Sequence, residues 1–224
     1  ALKDIYLPDK DGLKRFIKRE PLGVVLDIAA WNYPLLIAVN VVVPAVLAGN
    51  ATVIKHSSLT PLCAIAFEKA FKHAGAPEGL VTALIMDHAT TEKAIGSGLI
   101  HHIAFTGSTG GGRQVQKSAS SQFMDVGLEL GGKDPAYIRE DADLHSAVAS
   151  VMDGAFYNAG QSCCAVERIY VHHSLFDKFI TQAAQFIYKL KIGDPMNDSI
   201  DMGPLAQKSG IKTVENQLKD AIDK

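Results

Sequence analysis

The sequence predicts an α/β fold: a parallel sheet covered by helices on both faces, continuing into a second, smaller α/β unit. Three observations predict it. Over residues 21–130 short apolar runs alternate with helical stretches, and parallel strands need such crossovers to be joined at all. After Gly131-Gly132 the alternation starts again and runs through residues 132–224. The polar positions Trp31-Asn32, Lys55, Thr106-Gly107 and Glu129 each fall at or just past the end of a predicted strand, where parallel sheets place their ligands.

Taken in order, residues 1–20 are polar and charged, with a turn signal at Asp11-Gly12 between short apolar stretches, which predicts an exposed β-hairpin. Residues 23–28 (GVVLDI) read as a strand, and residues 33–47 as a helix so apolar all round that it should be buried. Residues 51–54 (ATVI) form a second strand, ended by Lys55. Thr60 followed by Pro61 is a helix start, and that helix runs to about His73 and stops at Gly75. A strand at 81–85, a short helix at 91–94 and a strand at 103–105 follow. A helix is expected after Gly112 and a strand at 126–130. Beyond the glycine pair, residues 136–139 read as a strand, 144–157 as a helix and 168–171 as a strand. Residues 176–190 and 208–222 read as helices.

Composition narrows the function classes. The 224 residues carry 22 basic and 24 acidic side chains, a net charge of −2, which excludes the basic balance of an electrostatic nucleic-acid binder. Three cysteines are too few and too odd in number for a disulfide scaffold, which points to a reduced, cytoplasmic setting. Residues 28–54 are uncharged for 27 positions, long enough to span a bilayer. Asn32, Asn40, Asn50, Pro34, Pro44 and Gly49 interrupt that run, so it reads as strand, helix and strand, with no membrane partner expected. The N-terminal residues are charged and lack the apolar segment of a signal peptide.

Several segments carry chemistry. Asn158-Ala159-Gly160-Gln161-Ser162-Cys163-Cys164 places a thiol where a helix gives way to a glycine turn. A nucleophilic cysteine needs exposure and local positive potential, whereas two buried cysteines would simply be small hydrophobes. Residues 126–132 (VGLELGG) hold one carboxylate, Glu129, in an apolar strand. Buried there it would have a raised pKa, as a general base requires; on an edge face it would be an ordinary glutamate. Residues 105–113 (FTGSTGGGR) join a strand end, a glycine-rich turn and a helix start, where free backbone N–H groups suit a phosphate. The GxGxxG spacing is not met, because position 109 is Thr. Asn32 at a strand end could donate to a developing oxyanion or cap the following helix. Lys55 faces the same rim, with a solvated lysine as its plain reading. His101-His102 and His172-His173 lack metal-ligand spacing, and no CxxC or HExxH is present, so no metal site is expected.

Together these segments resemble the aldehyde dehydrogenase superfamily. The matching stretches are PLGVVLDIAAWNYP, GNATVIKHSSLTP, FTGSTGGGR, LELGGKDP and NAGQSCCAVER, in matching order and spacing across the whole chain. The resemblance implies a Rossmann-like cofactor domain over 19–131, an oligomerisation hairpin over 1–18 and the start of a catalytic domain over 132–224. It implies oxidation of a small-molecule aldehyde to a carboxylic acid with NAD or NADP, in a homo-oligomer, dimer or tetramer. Cys163 fills the GQ-x-C position and would be the nucleophile. Glu129 would activate water, and the Asn32 amide with the Cys163 backbone N–H would form the oxyanion hole. Trp31, Lys55, Ser58, Gly107, Ser108, Gly112, Leu130 and Gly131 would meet the cofactor, with Lys55 on the adenosine ribose and residues 107–112 along the phosphates.

Two departures from the family pattern stand out. Ser58 occupies the position where the family usually carries an acidic residue on the ribose hydroxyls. A glutamate would repel a 2′-phosphate and a serine would not, which admits NADP beside NAD. Family members are also longer at both ends, and the later E-x-F-G-P region is missing, so the sequence reads as a fragment. Two other readings compete: a CoA-acylating relative, which would need no hydrolytic Glu129, and a non-catalytic binding protein that keeps the fold.

Overall fold

The computed structural model describes residues 3–224, and the chain divides into two compact units, Ala1–Leu130 and Gly131–Lys224. The first two residues of the expected hairpin lie outside the described residues. Its remainder is an antiparallel pair, β1 (Ile5–Tyr6) and β2 (Phe16–Ile17), with Ile5 opposite Ile17 and Tyr6 opposite Phe16. The turn closes at Asp11-Gly12, where Gly12 takes a φ of +77° that suits a residue without a Cβ. All four strand residues are exposed.

The main sheet of the first unit contains β3 (Val24–Ala29), β4 (Ala51–His56), β5 (Val81–Ala83), β6 (His102–Thr106) and β7 (Val126–Glu129). Their order is β5-β4-β3-β6-β7, and every pairing is parallel. The chain therefore enters at the centre, moves outward to β5, then crosses to the other side at β6. That reversal leaves a crevice at the carboxyl ends of β3 and β6, the ligand position of open α/β sheets.

Side-chain alternation along the strands feeds two cores. Leu26, Ile28, Ile103 and Phe105 pack with Ile95 of α3 (His88–Ile95) and with Val115 and Ala119 of α4 (Thr109–Ala119). On the opposite face Ile54 and Val81 pack with Val42 of α1 (Pro34–Leu47) and Ala64 of α2 (Pro61–His73). Both faces are covered, so the central strands read as continuous apolar runs rather than alternating ones.

The structure corrects several boundaries. β4 continues through Lys55 and His56, because Ile28 pairs with Lys55 and Ala29 with His56 in unbroken register. The glycine-rich stretch is not a turn before a helix: α4 starts at Thr109, with Ser108 as its N-cap, so Gly110, Gly111 and Gly112 form its first turns. α3 starts earlier than expected because Asp87 caps it, accepting the Thr90 N–H at 2.7 Å. β5 stops at Ala83 and β7 at Glu129. Thr60 holds the N-cap position of α2 without a side-chain capping bond, and Pro61 opens the helix. The all-apolar α1 is not buried all round. It packs on β3 and β4 with one side, burying Ala38 and Val42, while Leu35, Leu36, Val43 and Leu47 are exposed.

The second unit is a βαβ element extended by helices. β8 (Asp134–Ile138) and β9 (Val166–Val171) pair in parallel, joined through α5 (Leu144–Phe156). Both strands begin two residues before the expected positions. Asp143 caps α5 by accepting the Ser146 N–H at 2.8 Å. α6 (Phe176–Lys189) packs on α5, and Ile138, Val148, Met152, Phe179 and Ala183 form the core. α7 (Lys208–Asp223) contributes no buried residue, and its Ile211, Val214, Leu218 and Ile222 are exposed. Among the described residues no helix is long and apolar enough to cross a membrane.

Candidate active site

In the main sheet of the first unit all five strands run the same way, so their carboxyl ends share one edge. Along it lie Lys55 and His56 from β4, the turn 30–33 after β3, Gly107 and Ser108 after β6, and Glu129 with Leu130 at the end of β7. The structure thus brings Trp31, Asn32, Lys55, Ser58, Gly107, Ser108, Glu129 and Leu130 to one edge. Gly112 follows in α4. Gly131 and Cys163 belong to the second unit.

Register decides which face each group uses. Lys55 pairs with Ile28, and Ile28 with Phe105, so these three share the face covered by α4. Glu129 pairs with Thr106 and lies on the opposite face, the one that carries α1. Lys55 is not the solvated cation its plain reading suggests. It is buried, and that burial pulls its pKa below the ordinary lysine value.

The start of α4 explains its glycines. Ser108 Oγ accepts the Gly111 N–H at 3.1 Å, and the Ser108 carbonyl accepts the Gly112 N–H at 2.9 Å. A Cβ at Gly107 would stand 2.7 Å from Phe105 Cζ, and one at Gly111 2.8 Å from the same atom. At Gly112 it would meet Leu130 Cδ2 at 2.8 Å. At Gly111 and Gly112 the helix lies too close to the Phe105 ring and Leu130 for side chains, whereas Gly110 faces open space. The helix's outward N–H groups and its dipole give this end a positive character suited to an anion. A groove of about 580 Å³ runs along α4, lined in part by Thr109, Gly112, Arg113, Lys117, Leu128 and Leu130. A buried lysine on the same face as a helix start whose dipole favours anions is a donor set that fits a dinucleotide cofactor.

Glu129 departs from the buried carboxylate considered above. β7 is an edge strand, so Glu129 and its neighbour Leu128 are exposed.

In the second unit Cys163 sits in the turn between α5 and β9. The approach is unusual: Asn158, Ala159 and Gly160 take φ values of 52°, 56° and 72°, three successive left-handed residues. Ala159 pays a steric cost for that conformation which glycine does not. Gln161 holds the turn. Its Nε2 donates to the Asn158 carbonyl at 3.0 Å, and its Oε1 accepts the Ala206 N–H at 2.9 Å. The Gly132 N–H donates to the Cys163 carbonyl at 3.2 Å, which ties the first residues of the second unit to the cysteine turn. Lys133 pairs with Glu167 nearby in sequence to both segments.

Cys163 and Cys164 are exposed, as a nucleophile requires, and neither is disulfide-bonded. The Cys163 thiol is pushed up, first by partial burial of the sulfur and then by Cys164 alongside, while the backbone N–H groups of Cys163 and Cys164 pull the other way.

Two residues escaped the sequence reading. Asp27 stands in the middle of β3, paired with Ile54 and Ala104, and only 1% exposed. Neither carboxylate oxygen has a hydrogen-bond partner, and burial pushes its pKa up to about 8. Its signal was legible: it is the one charged residue in VVLDIA. His56, also buried, donates Nε2–H to the Pro34 carbonyl at 2.9 Å. Among the described residues no cluster of three or more His, Cys, Asp or Glu could hold a metal ion.

The family model described as aldehyde dehydrogenase family matches residues 2–224. The chain belongs to the aldehyde dehydrogenase family. This aldehyde dehydrogenase chain is 37% identical over 206 residues to betaine aldehyde dehydrogenase of Vibrio vulnificus, covering 92% of itself and 42% of that protein. It superimposes at a TM-score of 0.95 and 31% identity on an NADP-dependent enzyme of E. coli, covering 99% of itself and 47% of that chain. It matches betaine aldehyde dehydrogenase of Staphylococcus aureus, solved in complex with NAD+, at a TM-score of 0.89 and 32% identity, covering 97% of itself and 43% of that chain. The aldehyde dehydrogenase chain thus spans less than half the length of these relatives.

Proposed function

We propose that this protein oxidises an aldehyde to a carboxylic acid with NAD or NADP, through a thiohemiacetal and then a thioester on Cys163. The observation that carries the reading is the shared strand edge, where Asn32, Lys55, the start of α4 and Glu129 converge in a chain of this family. Relatives solved with NAD+ or described as NADP-dependent support a nicotinamide cofactor.

The cofactor is held by this chain's own groups. The N–H groups at the start of α4 receive the phosphates, and Lys55 binds the adenosine ribose from the same face. Trp31, Leu130 and Gly131 line the remaining path. Ser58, exposed and uncharged, leaves room for a 2′-phosphate, which admits both cofactors.

The Cys163 thiolate attacks the aldehyde carbon, and the carbonyl oxygen becomes an oxyanion. The Asn32 amide and the Cys163 backbone N–H donate to that oxygen, stabilising charge that develops only in the transition state. A nicotinamide held there would supply the hydride acceptor needed for the thiohemiacetal on Cys163 to become a thioester. Glu129 then takes a proton from water, which attacks the thioester carbon and releases the acid and the thiolate. Exposure of Glu129 gives it access to that water.

We assign the protein to the cytoplasm as a homo-oligomer, supported by its three unpaired thiols and by the exposed apolar residues Ile5, Tyr6, Phe16 and Ile17 of the hairpin. The test is reduction of NAD and NADP across a panel of aldehydes. Turnover that disappears in Cys163→Ala supports the assignment. Wild-type rates in that variant overturn it.

A further inference from the structure

We propose that His56 is a positioning residue for aldehyde oxidation: it fixes the turn that carries Trp31 and Asn32, and so sets where the Asn32 amide meets the substrate oxygen. The inference rests on the role given to Asn32 above.

The turn comprises residues 30–33, between the end of β3 and the start of α1. It is pinned at both ends by consecutive residues of β4 and its extension. At its beginning the Ala29 carbonyl accepts the Ser57 N–H at 2.9 Å. At its end the Pro34 carbonyl accepts from His56 Nε2 at 2.9 Å. A carbonyl can only accept, so Nε2 must carry the proton, which fixes the tautomer.

Tyr33 is the N-cap of α1 and makes no side-chain capping bond, and Pro34 at the first helical position has no N–H to give. His56 is 5% exposed, and the β3–β4 pairing fixes its backbone in register with Ala29. Burial, and after it the adjacent Lys55, pull the ring's pKa below the ordinary histidine value against the upward pull of the Pro34 hydrogen bond, which favours the neutral form. A neutral, rigid donor on a central strand is a precise anchor, because strands position groups more sharply than loops do. His56 also follows Lys55 directly, so one short piece of β4 sets both the ribose-binding lysine and the oxyanion turn.

Variants of the protein separate placement from bulk stability. His56→Leu keeps apolar volume and removes the donor. His56→Gln restores an N–H at nearly the Nε2 position, and His56→Asn is too short to reach Pro34. Two readouts are needed: the Asn32 side-chain amide signals by heteronuclear NMR, and kcat with KM for aldehyde and cofactor.

The proposal expects displaced Asn32 signals in the Leu and Asn variants, with near wild-type signals in the Gln variant. It expects kcat to fall by roughly tenfold or more in Leu and Asn and to stay within about twofold of wild type in Gln. Asn32 signals unmoved in a folded Leu or Asn variant overturn it. So do Gln signals that resemble Leu rather than wild type. Should Leu not fold, the Gln and Asn pair alone decides. Full turnover in Asn32→Ala would instead remove the oxyanion role, and the NMR comparison would still judge whether His56 places the Asn32 amide.

Discussion

The backbone N–H of Gly132 donates to the carbonyl of Cys163, so the glycine pair of LELGG buttresses the turn that presents the thiol. A Cβ at Gly132 would lie 3.1 Å from that carbonyl oxygen and 2.6 Å from Asp134 Oδ1. The aspartate can swing aside; the backbone oxygen cannot without moving the cysteine. Gly132→Ala should therefore destabilise the second unit by about 1–3 kcal/mol and change the alkylation rate of Cys163. Denaturant unfolding and thiol labelling check this. Unchanged values for both would show that the contact is slack.

Asp27 predicts an alkaline weakness. Its pKa rises from 3.8 to about 8 on folding, so the folded state holds a proton that the unfolded chain has released. Its contribution to stability is complete below pH 3.8 and is lost as pH rises towards about 8. Asp27→Asn removes the titration. Its stability relative to wild type should improve between pH 5 and pH 8 by up to about 4 kcal/mol. Unfolding free energies for both proteins at several pH values test the slope, and parallel curves would contradict it.

Cys164 raises the pKa of Cys163 through its charge and through a side-chain hydrogen bond. Cys164→Ala removes both effects, so the alkylation profile of Cys163 should move to lower pH and its labelling at neutral pH should quicken. A profile unchanged, or moved to higher pH, would show that Cys164 does not act in this way.

Much of the architecture was legible because it rests on local rules. Alternation of apolar runs and helices announced the parallel sheet, and Asp11-Gly12, Thr60-Pro61 and Gly75 marked turns and helix ends where the structure has them. What stayed hidden depends on tertiary neighbours. Nothing local says that β7 is an edge strand, so Glu129 read as potentially buried. The extension of β4 through Lys55 and His56 follows from register with Ile28 and Ala29, which a single strand cannot reveal. The glycines of α4 read as a turn by composition, but the Phe105 ring and Leu130 require small residues inside a helix. The exposed leucines of α1 show the same limit: composition gives apolarity, not which sides are covered.

The central claim is that Cys163 carries the acyl group and Glu129 releases it. Glu129→Gln should leave acylation intact and slow hydrolysis, so an acyl adduct should accumulate on that variant when aldehyde and cofactor are supplied together. Mass spectrometry of the quenched protein tests this directly. The account predicts the adduct on Cys163, dependent on oxidised cofactor and lost in Cys163→Ala. An adduct on Cys164 or Cys63, or none on any thiol while acid still forms, would contradict it.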